Sequence, residues 1–142
     1  MGQVFRTQRL VEFADTDMAG IAHFSAFFRW MEAAEHELLR SLGHSVFDKR
    51  GDDRAVSFPR VNATCDYRSP ARCEDVLKIA VSVVSLGTTS ITYAAHFSLE
   101  ERVVAEGRMT SVCCCMGGGE TIKPVPLPAE FAESLRPFAG DG

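Results

Sequence analysis

Two carboxylates one residue apart, Asp15 and Asp17, are followed by a glycine, Gly20, and then by His23 and Phe24 at the head of a long amphipathic pattern. The first N–H groups of a helix have no intrahelical acceptor, and they favour negative charge developing nearby. A carboxylate beside them can attack an acyl carbon or take a proton from water. The helix-start N–H groups can then bind the oxyanion that forms. Together these parts suit ester or thioester hydrolysis, with Asp17, nearest the helix start, as the sharper candidate. On spacing alone, Asp15, Thr16 and Asp17 are more commonly plain turn and N-cap residues. An Asp-x-Asp pair also suggests a metal site, but the remaining ligands do not follow in a recognisable pattern.

Flanking elements must hold that turn in place. Gln3 to Phe13 alternates as a strand, and Ala14 to Gly20 stops it. From Ala22 or His23 to Leu42, Phe24, Phe27, Phe28, Met31, Leu38 and Leu42 share one helical face, and Gly43 suits the C-cap. A face this broad and aromatic needs a wide partner, most simply a curved sheet. Glu35 is out of place within it, because a buried carboxylate needs partners. His44 to Ala55 is polar and turn-rich. Val56 to Arg68, Asp75 to Leu86, Thr88 to Glu100 and Val103 to Met116 read as strands with short links, an antiparallel meander closed by Gly117 to Gly119. Ala129 to Arg136 suits a short helix, and Pro137 to Gly142 a frayed tail. The expectation is one α+β domain over residues 1–142, a five-stranded antiparallel sheet wrapped around one long central helix. Its open edges favour pairing of copies.

Bulk properties narrow the classes of function. The net charge is -4 with no basic run, so nucleic acid is not an expected partner. No apolar run reaches the roughly 20 residues of a membrane span, so no membrane insertion is expected. The polar N-terminus lacks a signal-peptide core, which points to a cytoplasmic protein. Five cysteines, three of them adjacent at Cys113 to Cys115, suit neither a disulfide framework nor a zinc site. Reduced packing thiols are expected.

The run Phe13-Ala14-Asp15-Thr16-Asp17-Met18-Ala19-Gly20-Ile21, followed by Phe24, Phe27, Phe28, Trp30, Glu32 and Ala34, resembles the signature of hotdog-fold acyl-CoA thioesterases. The branch it resembles is the 4-hydroxybenzoyl-CoA thioesterase type, which includes the Tol–Pal-associated enzymes. Asn62 to Asp66, Tyr67 to Pro70 and Asp75 to Ile79 resemble later strands of the same family. The resemblance implies hydrolysis of an acyl-CoA to free acid and CoA. It makes Asp17 the nucleophile or general base, and the backbone N–H of Phe24 the group that polarises the thioester carbonyl. It also implies a homodimer or homotetramer with the site at the subunit interface, and no metal or cofactor beyond the CoA of the substrate. Ser57 and Phe58 fall at the family's pocket wall, and Glu32 at an acidic position of its helix. His23 is displaced by one position from the histidine of the Tol–Pal type. The turn Leu86 to Ser90 lacks the family's basic run, leaving Arg60, Arg68, Arg102, Arg108 or Lys123 to meet the CoA phosphates. An alternative is a non-catalytic hotdog subunit that binds acyl-CoA or a partner. A hotdog dehydratase would need a matched histidine motif that the sequence does not show.

Overall fold

Strands rich in Val, Ile and aromatic residues with two-residue alternation bury one face and leave the other to solvent. In the computed structural model, which describes residues 2–45, 56–115 and 123–140, they build the expected five-stranded antiparallel sheet. The strands are β1 (Phe5–Leu10), β3 (Arg60–Tyr67), β4 (Val76–Leu86), β5 (Ser90–Leu99) and β6 (Arg102–Val112), in the order β1-β4-β5-β6-β3. The meander is confined to β4, β5 and β6, while β1 and β3 dock at opposite edges. A short ribbon joins β2 (Val56–Ser57) to β7 (Cys114–Cys115).

The segment expected to run as one strand from Val56 to Arg68 is thus broken. Pro59 has no N–H to give a ladder, and its carbonyl takes the Val112 N–H instead. The last strand breaks at Cys113, whose N–H goes to the Thr89 carbonyl. Most of the polar stretch expected as a loop after His44, and the triple glycine, lie outside the described residues.

The central helix, α1 (Phe24–Ser41), presses Ala26, Phe27, Trp30, Met31, Ala34, Leu38 and Leu39 into the core. Its buried face is rotated from the expected stripe: Phe24 is 60% exposed, while Trp30 is 6% exposed. Phe27 meets both Trp30 and Phe97 edge-on, at 4.9 and 5.2 Å between ring centres. An aromatic cluster of this kind adds about 0.5–1.5 kcal/mol per pair beyond area burial.

Depth of seating is set at Gly107 on β6, directly beneath Met31. A Cβ added there would collide with Met31 Sδ and sit 3.1 Å from the Thr64 carbonyl oxygen. Gly107→Ala should therefore cost about 1–3 kcal/mol through overpacking. A thermal melt should show this as a drop of roughly 3–10 °C; an unchanged melting temperature would mean that the helix can lift without penalty.

The second helix, α2 (Ala129–Ala139), buries Phe131 and Leu135. It runs three residues past its expected end, through Pro137, so the tail is not frayed from that residue on. The Pro137 carbonyl accepts the Gln3 N–H at 2.8 Å, which ties the C-terminal helix to the chain's start. The five cysteines form no disulfide with one another, with Cys113 and Cys114 buried and Cys73 exposed.

Candidate active site

The strand leading into the acidic turn ends earlier than its alternation suggests. Asp15 Oδ2 takes the Glu12 N–H at 2.9 Å and closes a 3-10 turn over Phe13–Asp15. The rest of Asp15 is also engaged. Its Oδ1 lies 3.4 Å from Arg29 Nη2, and its carbonyl accepts the His23 N–H at 2.7 Å. Asp15 is the residue that fastens the turn to the helix entry.

Asp17 is held differently. The Asp17 N–H donates to the Ile21 carbonyl, and Gly20 N–H donates back to the Asp17 carbonyl, a tight reversal that needs Gly20 at φ +79°. One carboxylate oxygen, Oδ1, accepts the Ala19 N–H at 2.9 Å. The other, Oδ2, accepts no hydrogen bond among the described residues. The turn is stitched to the chain beyond β3 by the Ala22 N–H, which donates to the Ala71 carbonyl at 2.8 Å.

Asp17 lines a cleft of ≈ 460 Å³ with Ile21, Phe24, Phe27, Tyr67 and the Arg68–Ala71 segment. Its wall is mostly apolar and aromatic, with the carboxylate at one side. At the helix start, the Ser25 N–H donates to His23 Nδ1 at 3.2 Å and the Ala26 N–H to the His23 carbonyl. The Phe24 N–H has no acceptor among the described residues. Asp17 and Phe24, each with one polar atom that has no partner among the described residues, therefore line one cavity.

The other residues singled out in the sequence are placed elsewhere within the chain. His23 is the N-cap of α1, and its ring tilts against that of Phe24 at 4.4 Å. Glu32 lies at the helix surface, 3.2 Å from Arg60. Ser57 is in the β2 ribbon, and Phe58 stacks on Phe131 at 4.8 Å. None of these four lines the Asp17 cleft.

Glu35 has its partner. Arg60 grips both carboxylate oxygens, at 2.9 and 3.0 Å, and also donates to Ser111 Oγ at 2.8 Å. This clamp joins α1 to β3 and β6, and it commits Arg60 away from any ligand. Arg102 is similarly occupied by Ser69 Oγ and the Pro70 carbonyl, at 2.7 and 2.6 Å, and so braces two residues that line the cleft. Of the five basic residues considered for phosphate contact, Arg68 alone lines the cleft.

Tyr67 is the site residue that the motif did not flag. Its hydroxyl donates to the Phe24 carbonyl at 2.9 Å, and its ring meets Phe27 edge-on at 5.3 Å. In the sequence it stands only at the end of an extended stretch and at the head of the Tyr67 to Pro70 segment, with nothing to mark a site role.

Residues 11–135 match the family described as "Thioesterase-like superfamily". A protein of Aquifex aeolicus, named only as a candidate esterase, is 32% identical over 93% of this chain and 98% of its own length. The 1,4-dihydroxy-2-naphthoyl-CoA hydrolase of Synechococcus elongatus is 28% identical, with 93% and 95% covered. Among solved structures, a gentisyl-coenzyme A thioesterase superposes with a TM-score of 0.76 at 28% identity, covering 94% of this chain and 99% of that one.

Proposed function

Because this chain belongs to the thioesterase-like superfamily of hotdog folds, we propose that Asp17 and the backbone N–H of Phe24 carry out its thioester hydrolysis within the cleft they share. The chain is an acyl-CoA thioesterase, releasing free acid and CoA. The observation that carries the residue assignment is the contrast between the two carboxylates. The Asp15 carboxylate is engaged by the Glu12 N–H and by Arg29, whereas Asp17, which lines an apolar cavity, has one carboxylate oxygen that accepts no hydrogen bond among the described residues.

In this reading the acyl group lies among Ile21, Phe24, Phe27 and Tyr67. The thioester carbonyl oxygen meets the Phe24 N–H. Asp17 either attacks the carbonyl carbon or takes a proton from the water that does. The tetrahedral oxyanion is held by that N–H, and its collapse breaks the C–S bond and expels the CoA thiolate, which is then protonated. Where Asp17 attacks, water cleaves the mixed anhydride and restores the carboxylate. No step draws on a metal or a further cofactor.

The site is proposed to be completed by a second copy, as a homodimer or a homotetramer. Phe13 and Met18 flank the turn at 84% and 106% exposure, and β3 is an edge strand of the sheet. Apolar surface and an open edge so close to the cleft favour burial against a partner. Ser57, Phe58 and Glu32 would then reach substrate only across such an interface.

A bicyclic or monocyclic aromatic acyl group is favoured by the wall of the cleft and by the substrates in the relatives' names. A thiol-release assay over 1,4-dihydroxy-2-naphthoyl-, gentisyl-, benzoyl-, hexanoyl- and acetyl-CoA tests the proposal. Aromatic thioesters should give the highest kcat/KM. Binding of every thioester without thiol release would favour a non-catalytic subunit instead.

A further inference from the structure

We infer that Tyr67 is a positioning residue for the oxyanion site, fixing the peptide that follows Phe24 through its hydroxyl while the His23 ring fixes the same peptide from the other end. This inference rests on the function proposed above and adds a residue to it.

The peptide unit between Phe24 and Ser25 is held at both of its polar atoms. Its carbonyl accepts the Tyr67 O–H at 2.9 Å, and its N–H donates to His23 Nδ1 at 3.2 Å. The two holders come from different elements, β3 and the helix cap. Phe24 is the first residue of α1, so its N–H lacks an intrahelical acceptor, and its side chain is 60% exposed. Its side chain therefore does little to hold it in place. A first helical turn without such restraint frays, and an N–H that wanders cannot stabilise a developing oxyanion at fixed geometry. Pinning the next peptide limits rotation at Phe24 and holds its N–H in one orientation.

Tyr67 is suited to this task. Its ring is braced edge-on by Phe27 at 5.3 Å, and it lines the same cleft as Asp17. Burial and the adjacent Cys65 thiol push the phenol above its ordinary range, so it stays a neutral donor at assay pH. The Tyr67 hydroxyl touches the backbone and need not touch the reacting atoms.

The test uses Tyr67→Phe, which keeps the ring and removes the donor. With benzoyl-CoA and hexanoyl-CoA, kcat should fall about tenfold for whichever is turned over, while KM stays within about twofold. The melting temperature should stay close to that of the parent. A second reading uses [13C-carbonyl]benzoyl-CoA bound to Asp17→Asn, where turnover is slow. The carbonyl infrared band should lie below that of the free thioester, and adding Tyr67→Phe should move it back toward the free value. An unchanged kcat with an unchanged band overturns the inference, as does a kcat loss that merely follows a fall in melting temperature. Failure of the parent to hydrolyse any thioester, or full activity in Asp17→Asn, would instead overturn the underlying assignment and this inference with it.

Discussion

Asp17→Asn should lower kcat by a factor on the order of 10³ or more, with KM changed little and the fold intact. The amide keeps an oxygen able to accept the Ala19 N–H, so the turn through Gly20 survives. It can neither attack an acyl carbon nor accept a proton from water at neutral pH. Circular dichroism and thermal melting should match the parent, while thiol release should nearly vanish. Asp15→Asn is the informative control. Its carboxylate serves Glu12 and Arg29, so this change should show itself mainly as lost stability, with catalysis reduced only as far as the turn loosens. If Asp15→Asn proved the more damaging to kcat in a folded protein, the two carboxylates would have to exchange roles.

Arg60→Met should be the most destabilising single change outside the hydrophobic core. It keeps much of the aliphatic stem but leaves Glu35, 4% exposed, as a buried charge without its bidentate partner. Stranding such a charge costs about 3–5 kcal/mol, roughly 10 °C or more in melting temperature for a chain of this size. The contact with Glu32 at the surface adds little to that figure. The double variant Glu35→Gln with Arg60→Met should be more stable than Arg60→Met alone. Equal stability of the single and double variants would refute the clamp as the source of the effect.

The legibility of the chain differed from element to element for physical reasons. The spacing of Phe27, Met31, Leu38 and the long alternation of β4 and β5 report burial directly, so the helix and the meander could be read from periodicity. The places of β1 and β3 at the sheet edges could not, because pairing partners distant in sequence leave no mark on local pattern. Phe24 looked like a core residue by its spacing, but at the first position of α1 it faces the cleft mouth. Asp17 was singled out by type and position, yet what separates it from Asp15 is which carboxylate oxygens are already bonded, and this is a property of the folded turn. Glu35 was visibly anomalous in the helix, and its partner Arg60 lay in a strand that no pattern joined to it. Tyr67 was hidden for the same reason, since a strand-end tyrosine shows nothing of the helix carbonyl it reaches.

The edge position of β1 has a consequence for how the protein comes apart. Phe5 pairs with Val81 across a long stretch of chain that includes the central helix and β3, whereas β5 and β6 turn directly from Leu99 to Arg102. Closing the long loop costs more chain entropy and yields contacts on one side only. The first strand is therefore the natural unit of partial unfolding, opening while β4, β5 and β6 remain paired. Amide hydrogen exchange should be faster in Phe5–Leu10 than in Ser90–Leu99 under native conditions. Because that strand leads straight into the turn bearing Asp17, gentle heating should extinguish turnover before it melts the sheet, and cooling should restore it.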